Sequence, residues 1–137
     1  MYLQPEDLER GARGEHIAVV ARTVENMNQA IVEAQSEVES YLTARYDIRA
    51  EFAKTRDSRL PMVVKLVRDI ALYNCFCIGS PVSMPESRVT AYNNAIRYLK
   101  EVQAERASID GLTRLTGPTG TSSYVSFGGN RKRKNQY

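Results

Sequence analysis

The stretch "LPMVVKLVRDIALYNCFCI", residues 60–78, decides the fold class. Pro61 suits the first turn of a helix, where its missing N–H group costs nothing. From Met62 onward, apolar side chains fall on every side of the helical wheel, and a helix of that kind lies at the centre of a protein. The few charged residues include Lys65 and Asp69, which are four positions apart and can form an ion pair. The sequence therefore predicts a central, buried helix.

A long amphipathic helix is predicted before this central helix, between Thr23 and Tyr46. Apolar or small residues recur there at spacings of three and four, as on one face of a helix. Thr23 is a suitable N-cap. The stripe consists of Val24, Met27, Ile31, Ala34, Val38 and Tyr41, and the other faces carry Glu25, Glu33, Glu37 and Glu39.

A third long helix is predicted after the stop at Gly79 to Pro81. Ser83 is followed three residues later by Glu86, which is the spacing of a capping box. The apolar stripe that follows is expected to run to a helix end near Gly111. It consists of Val89, Tyr92, Ile96, Leu99 and Val102.

The rest of the first 110 residues is less regular. Residues 4–21 predict two short helices, or one that bends, with acids in the first turn. Residues 46–61 are expected to form a connection with one short turn around Phe52. The fold class is therefore all-α: a small helical bundle of about three long helices plus short N-terminal helices, in one domain over residues 1–110.

The composition changes after Ile109. Residues 111–137 contain five glycines, one proline and many threonines and serines. A segment so poor in apolar residues cannot offset its own ordering entropy as an isolated domain. We therefore expect an extended C-terminal arm over residues 111–137, which is flexible alone or ordered against a partner.

The arm carries a short pattern typical of a β-strand, "SSYVSF" at residues 122–127. Val125 and Phe127 alternate at the period of a strand, with Tyr124 on the opposite face. Tyr137 closes the chain. These four residues are the expected partner-binding residues, because an extended segment can add a strand to another protein.

A run of four basic residues follows, consisting of Arg131, Lys132, Arg133 and Lys134. The whole chain has a formal net charge of +3, and since this run contributes +4, the other 133 residues carry −1. Three interpretations remain open. The run is a solvated end, a contact for nucleic-acid phosphates, or a docking element for acidic groups of a protein.

No set of residues typical of catalysis or metal binding is visible. The chain has one histidine, His16, and no phosphate-binding loop or dinucleotide motif. Cys75 and Cys77 have the wrong spacing for a zinc or redox pair and are expected to be buried thiols. We therefore predict no catalytic residue, no metal, no cofactor and no enzymatic activity. The absence of a long apolar run or signal peptide predicts no membrane association.

Three motifs in order resemble one known family. They are "EVESYLTARYDI" at residues 37–48, "LVRDIALYNCF" at 66–76 and "ESRVTAYNNAIRYLKEVQAERASI" at 86–109. Together they resemble the Mu-like tailed-phage head-completion or head-tail connector proteins over roughly residues 1–115. Glu105 departs from the pattern, because the family has a glycine there. The matching residues are Ser40, Tyr41, Leu42, Arg45, Tyr46, Leu66, Asp69, Ile70, Ala71, Tyr73, Arg88, Tyr92, Asn93, Ala95, Ile96, Leu99, Val102 and Ser108.

The resemblance implies a structural role. Such proteins form a ring, commonly of twelve copies, below the portal of a filled capsid, where they extend the DNA channel and join capsid to tail. The implied partners are further copies of the chain, the portal protein, the next connector or tail protein, and packaged double-stranded DNA by non-specific contact. The implied location is the head-tail interface of the virion, and the host cytoplasm during assembly. The alternative is a small helical nucleic-acid-binding or regulatory protein that uses its basic tail.

Overall fold

A computed structural model of the chain describes residues 1–11, 21–79 and 81–115. Within these ranges the chain forms five α-helices and no β-strand, which confirms the predicted all-α class. Two short 3₁₀ turns, Arg56–Ser58 and Pro81–Ser83, lie between helices. The helices are α1 (Pro5–Gly11), α2 (Val24–Leu42), α3 (Ile48–Phe52), α4 (Pro61–Gly79) and α5 (Glu86–Gln103).

Helix α4 is the central element, as predicted. It packs against α1, α2 and α5, and its most extensive contact is with α2. It begins at Pro61, and the ion pair between Lys65 Nζ and Asp69 Oδ2 forms at 2.9 Å. Its buried residues are Val63, Leu66, Val67, Asp69, Ile70, Ala71, Leu72, Cys75, Phe76 and Gly79.

Helix α2 has the predicted N-cap, since the Thr23 hydroxyl accepts a hydrogen bond from the Asn26 N–H at 3.1 Å. Two expectations are wrong. Val24 lies in the first turn and is 58% exposed, because the core begins only at Met27. The helix also ends at Leu42, because the chain turns there and Tyr46 pairs with a later segment.

Helix α5 begins later than the capping box predicted. The N-cap position is Pro85, which provides no side-chain cap, and residues Pro81–Ser83 form a 3₁₀ turn. A residue that precedes proline is disfavoured in the helical region, so Met84 stays outside the helix. The first helical residue is therefore Glu86.

Helix α5 also ends earlier than predicted, at Gln103 and not near Gly111. The N–H of Glu105 donates to the Val102 carbonyl at 3.1 Å, and the N–H of Arg106 donates to the Glu101 carbonyl at 2.9 Å. These two bonds form a Schellman C-cap. Glu105 adopts a left-handed backbone with φ of 65° to make them, at the position where the resembled family has glycine.

The two cysteines differ in environment. Cys75 is buried, and burial raises the pKa of its thiol to about 11. Cys77 is exposed, so the prediction that both thiols are buried is wrong for this residue. The physical reason is that the apolar wheel of α4 is covered by neighbouring helices on most sides but not along its whole length.

A buried polar cluster ties the N-terminus to the connection between α2 and α4. The Glu51 side chain is only 1% exposed, and its Oε1 accepts hydrogen bonds from the Tyr2 hydroxyl at 2.8 Å and the Leu60 N–H at 2.7 Å. Its Oε2 lies 2.6 Å from Lys54 Nζ. The guanidinium of Arg59 bonds Asp7 at 2.8 Å and lies over the Tyr2 ring. Together these contacts fix the first residues of the chain on the helical body.

Candidate functional site: the root of the C-terminal arm

Residues 109–115, which we name the arm root, turn back onto the end of α2. The Leu115 N–H donates to the Arg45 carbonyl at 2.8 Å, and the Asp47 N–H donates to the Thr113 carbonyl at 2.8 Å. Tyr46 and Arg114 thereby form an isolated antiparallel bridge. Residues 113–115 are therefore held on the turn after α2 by backbone hydrogen bonds.

Tyr46 contacts the arm root near both of its ends, at Ile109 and at Arg114. Its ring is 2% exposed, and its hydroxyl accepts a hydrogen bond from the Ile109 N–H at 3.4 Å. The guanidinium of Arg114 lies 5.9 Å from the ring centroid, within the range of a cation–π contact. Ile109 and Leu112 are buried beside it, so the arm root is part of the hydrophobic core.

Gly111 makes the reversal of the arm root possible. Its φ of 82° lies in the left-handed region, which side chains disfavour. A Cβ atom at this position would also lie 2.9 Å from Cδ2 of Leu60, closer than real Cβ contacts come. The turn therefore needs glycine for its backbone conformation, and a Cβ atom would in addition displace the end of the Leu60 side chain.

Charged pairs surround the arm root on the solvent side. Arg45 Nη2 lies 2.5 Å from Glu105 Oε1, and Arg106 pairs with Glu101 at 2.6 Å. The hydrogen bond from Arg106 holds the pKa of Glu101 below its usual range. The Arg45–Glu105 pair joins the segment after α5 to the turn after α2.

The residues that the sequence predicted as binding residues all lie outside the described part of the chain. The structure therefore does not test the predicted partner-binding set or the predicted phosphate or acidic-partner contacts. The domain boundary after residue 110 also stays a prediction. The residues concerned are Tyr124, Val125, Phe127 and Tyr137, and Arg131, Lys132, Arg133 and Lys134.

Sequence reasoning missed the arm root itself. Its local signal is the glycine at position 111 between the apolar residues Ile109 and Leu112, which is typical of a turn that returns to a core. The pairing with Tyr46 has no such signal, because 63 positions separate Tyr46 from Ile109.

The described side chains offer no assembled catalytic set at the arm root or at the Glu51 cluster. Burial alone would raise the pKa of Glu51, but its hydrogen bonds from Leu60, Lys54 and Tyr2 outweigh burial and hold the pKa below its usual value. The carboxylate is thus ionised, with two hydrogen bonds on Oε1 and the ion pair with Lys54 on Oε2. In the same ranges no three His, Cys, Asp or Glu side chains come close enough to hold a metal ion.

A comparison with known protein families identifies the family of this chain. The family described as bacteriophage Mu, Gp36 matches residues 2–125. The chain belongs to the bacteriophage Mu Gp36 family. Comparison with curated proteins gave no match, and neither did comparison with solved structures.

The Gp36 match covers the helical body, the arm root and the beginning of "SSYVSF", including Tyr124 and Val125. It ends before Phe127 and before the basic run at residues 131–134. The resemblance to a Mu-like phage protein is thus confirmed at the level of the family. None of the helices in the described ranges is long and apolar enough to cross a membrane.

Proposed function

We propose that this Gp36 family member is a structural head-tail connector of a tailed bacteriophage and not an enzyme. It forms a ring below the portal, extends the DNA channel and joins the capsid to the tail. The observation that carries this proposal is the Gp36 match over residues 2–125, which takes in the body and the arm root together. In the proposal the protein belongs to the virion.

The arm root supports a role in joining proteins. Arg45, Tyr46 and Asp47 hold residues 113–115 on the body. The remaining 22 residues, 116 to 137, come directly after this held segment in the chain. Fully extended, they span up to about 70 Å at roughly 3.3 Å per residue. A segment of that reach can contact the portal protein, a neighbouring copy or the next connector.

The proposed partner contacts of the arm are of two kinds. Tyr124, Val125 and Phe127 add a strand to a partner, with Tyr137 as a terminal anchor, and many arms in one ring give avidity. Arg131 to Lys134 contact acidic groups of that partner or the phosphates of the DNA that it surrounds. The second contact is electrostatic, so it weakens steeply with added salt.

The test is a mass measurement of the purified full-length chain with and without the portal protein of the same phage. A connector gives a closed ring of defined mass on the portal. A chain that stays monomeric, ignores the portal and binds duplex DNA with a steep salt dependence contradicts the proposal. That result favours the alternative of a small nucleic-acid-binding protein, which the +4 charge of residues 131–134 allows.

A further inference from the structure

The solvent side of α2 is acidic. The helix contains four glutamates and no lysine or arginine. Glu25, Gln29, Val32 and Glu33 are exposed and share this side, which we name the acidic face. Val32 is 54% exposed, so the acidic face also presents an apolar side chain.

The solvent side of α5 has the opposite charge. The helix contains three basic residues, Arg88, Arg97 and Lys100, and its two acids, Glu86 and Glu101, stand near its two ends. Val89, Asn93, Arg97 and Lys100 are exposed and share one side, which we name the basic face. It has the same make-up as the acidic face, with one valine, one amide and two charges, but the charges are positive.

Neither face forms an ion pair with the described residues of its own copy, although the charge of Arg97 also acts on the nearby Glu101 carboxylate. Glu33 accepts a hydrogen bond only from the Gln29 amide at 2.8 Å, and no described cation pairs with Glu25. On α5, Arg97 donates to the Asn94 side chain at 3.2 Å, and Lys100 makes no ion pair within the described ranges. The acids that do have partners on α2 lie elsewhere, since Glu39 pairs with Arg49.

The two faces of one copy cannot meet each other. Helices α2 and α5 both pack on α4 and also on each other through their apolar sides, which leaves the charged sides pointing away from the bundle. An acidic surface on one helix and a basic surface on another helix of the same body suit a head-to-tail contact between copies.

We propose that the acidic face of one copy packs against the basic face of the next copy, and that this contact closes the ring. The inference rests on the proposed connector function. Exposed charge pairs each contribute little, so they set partner choice and association rate more than affinity. Burial of Val32 and Val89 adds an apolar contribution. Each contact is weak and salt-sensitive, and closure of the ring makes the assembly stable.

Reversal of charge tests the contact on the full chain with portal present. The variant E25K/E33K makes both faces basic, and R97E/K100E makes both faces acidic. Mass measurement gives the fraction of chains that are assembled into rings. For each variant alone we expect this fraction to be at least tenfold lower than for the unmodified chain. An equimolar mixture of the two, or one chain with all four substitutions, is expected to recover it to within about twofold, because opposite charges then meet again.

The matched control is E6K/E9K, which changes the net charge as E25K/E33K does but at two exposed positions of α1. It is expected to assemble as the unmodified chain. Thermal melting checks that every variant is folded, which is expected because all substituted side chains are exposed.

Three results overturn the inference while the connector function stands. The first is normal ring formation by both E25K/E33K and R97E/K100E. The second is a loss of ring formation that neither the mixture of the two variants nor the chain with all four substitutions recovers. The third is loss of ring formation by E25K/E33K while R97E/K100E still forms rings. The acidic face would then bind something other than the basic face, such as residues 131–134. If the unmodified chain forms no ring on the portal, the proposed function itself fails.

Discussion

Glu105 occupies a backbone conformation that glycine adopts at lower cost. Its φ of 65° follows the last turn of α5, and the Schellman bonds require it. The side chain compensates in part by pairing with Arg45, but Glu105 is 74% exposed in this pair, and exposed ion pairs are worth little.

We predict that Glu105→Gly raises the free energy of unfolding by up to about 1 kcal/mol, because the left-handed strain outweighs the lost ion pair. Glu105→Ala is the control, since it removes the pair and keeps a Cβ atom at this position. It is expected to be neutral or slightly destabilising in urea unfolding. If both variants lose stability equally, the backbone carries no strain here.

Gly111 is the residue on which the arm root depends. We predict that Gly111→Ala lowers the free energy of unfolding by roughly 1–3 kcal/mol, from its φ of 82° and the contact with Leu60. Gly11→Ala is the comparison. A Cβ at position 11 would overlap the half-buried Arg68 side chain, which has to move, but Gly11 is helical without a positive φ and alanine favours a helix. Urea unfolding should therefore show a smaller loss, or none, for Gly11→Ala.

Glu51 predicts a pH dependence of stability. Its folded pKa lies below the ordinary value of 4.5, so the unfolded chain binds more protons when the pH falls below that value. The stability that the ionised carboxylate contributes is present above about pH 4.5 and is lost as the pH falls through the folded pKa. The hydrogen bond from Arg59 lowers the pKa of Asp7 in the same way.

We expect Glu51→Gln to be less stable than the unmodified chain at neutral pH and to show a flatter loss in acid. Urea unfolding over a series of pH values measures both effects. A variant whose stability falls with acid as steeply as that of the unmodified chain would show that other groups cause the dependence.

At the scale of elements, the arm root joins the ends of three helices. It lies on the turn after α2 and beside Leu60, the residue before α4. The residue before the arm root is held by α5, because the Tyr98 hydroxyl donates to the Ser108 carbonyl at 3.0 Å. Ile109 and Leu112 bury their side chains there. The arm root therefore contributes to the stability of the body, whatever the rest of the arm does.

A pair of truncations tests this contribution. A chain that ends at Thr116 keeps the arm root and is expected to unfold at the same urea concentration as the full chain. A chain that ends at Ser108 loses Ile109, Leu112 and the bridge, and should lose several kcal/mol at roughly 1.5–3 kcal/mol for each buried side chain. Equal midpoints for the two truncations would show that the arm root is not part of the core.

At the scale of the whole molecule, the connector proposal separates stability from assembly. We predict that the chain ending at Thr116 is fully folded but no longer joins the portal, since it lacks residues 117–137 that the proposal assigns to partner binding. Mass measurement with portal present gives the result. If this truncation joins the portal as the full chain does, the arm is only a solvated end.

The net charge of the chain does not show how its charged residues are distributed over the molecule. The net charge of +3 is the sum of a body near neutrality and a basic run. Within the body, α2 carries four acids and no base, while α5 carries three bases and has its two acids near its ends. Such separation favours association between copies with a defined orientation.

The sequence by itself determined the features that depend on neighbours along the chain. The all-α class, the central position of α4, the Thr23 cap and the start at Pro61 all follow from periodicity and capping, which act within a few residues. Where local signals competed, the prediction was wrong. The capping box predicted a helix start at Ser83, but Pro85 is the N-cap. The apolar stripe predicted a helix end near Gly111, but the backbone reverses at Glu105.

Only the tertiary structure decided what distant parts of the chain do together. It placed Tyr46 against Ile109 and Arg114, buried Glu51 between Tyr2 and Leu60, and put an acidic and a basic helix side on the outside of one bundle. No local pattern encodes these contacts, because they join residues that are far apart in sequence and form only when the helices pack. The physical reason is that hydrophobic burial, which is not directional, selects the packing, and the polar contacts then follow from it.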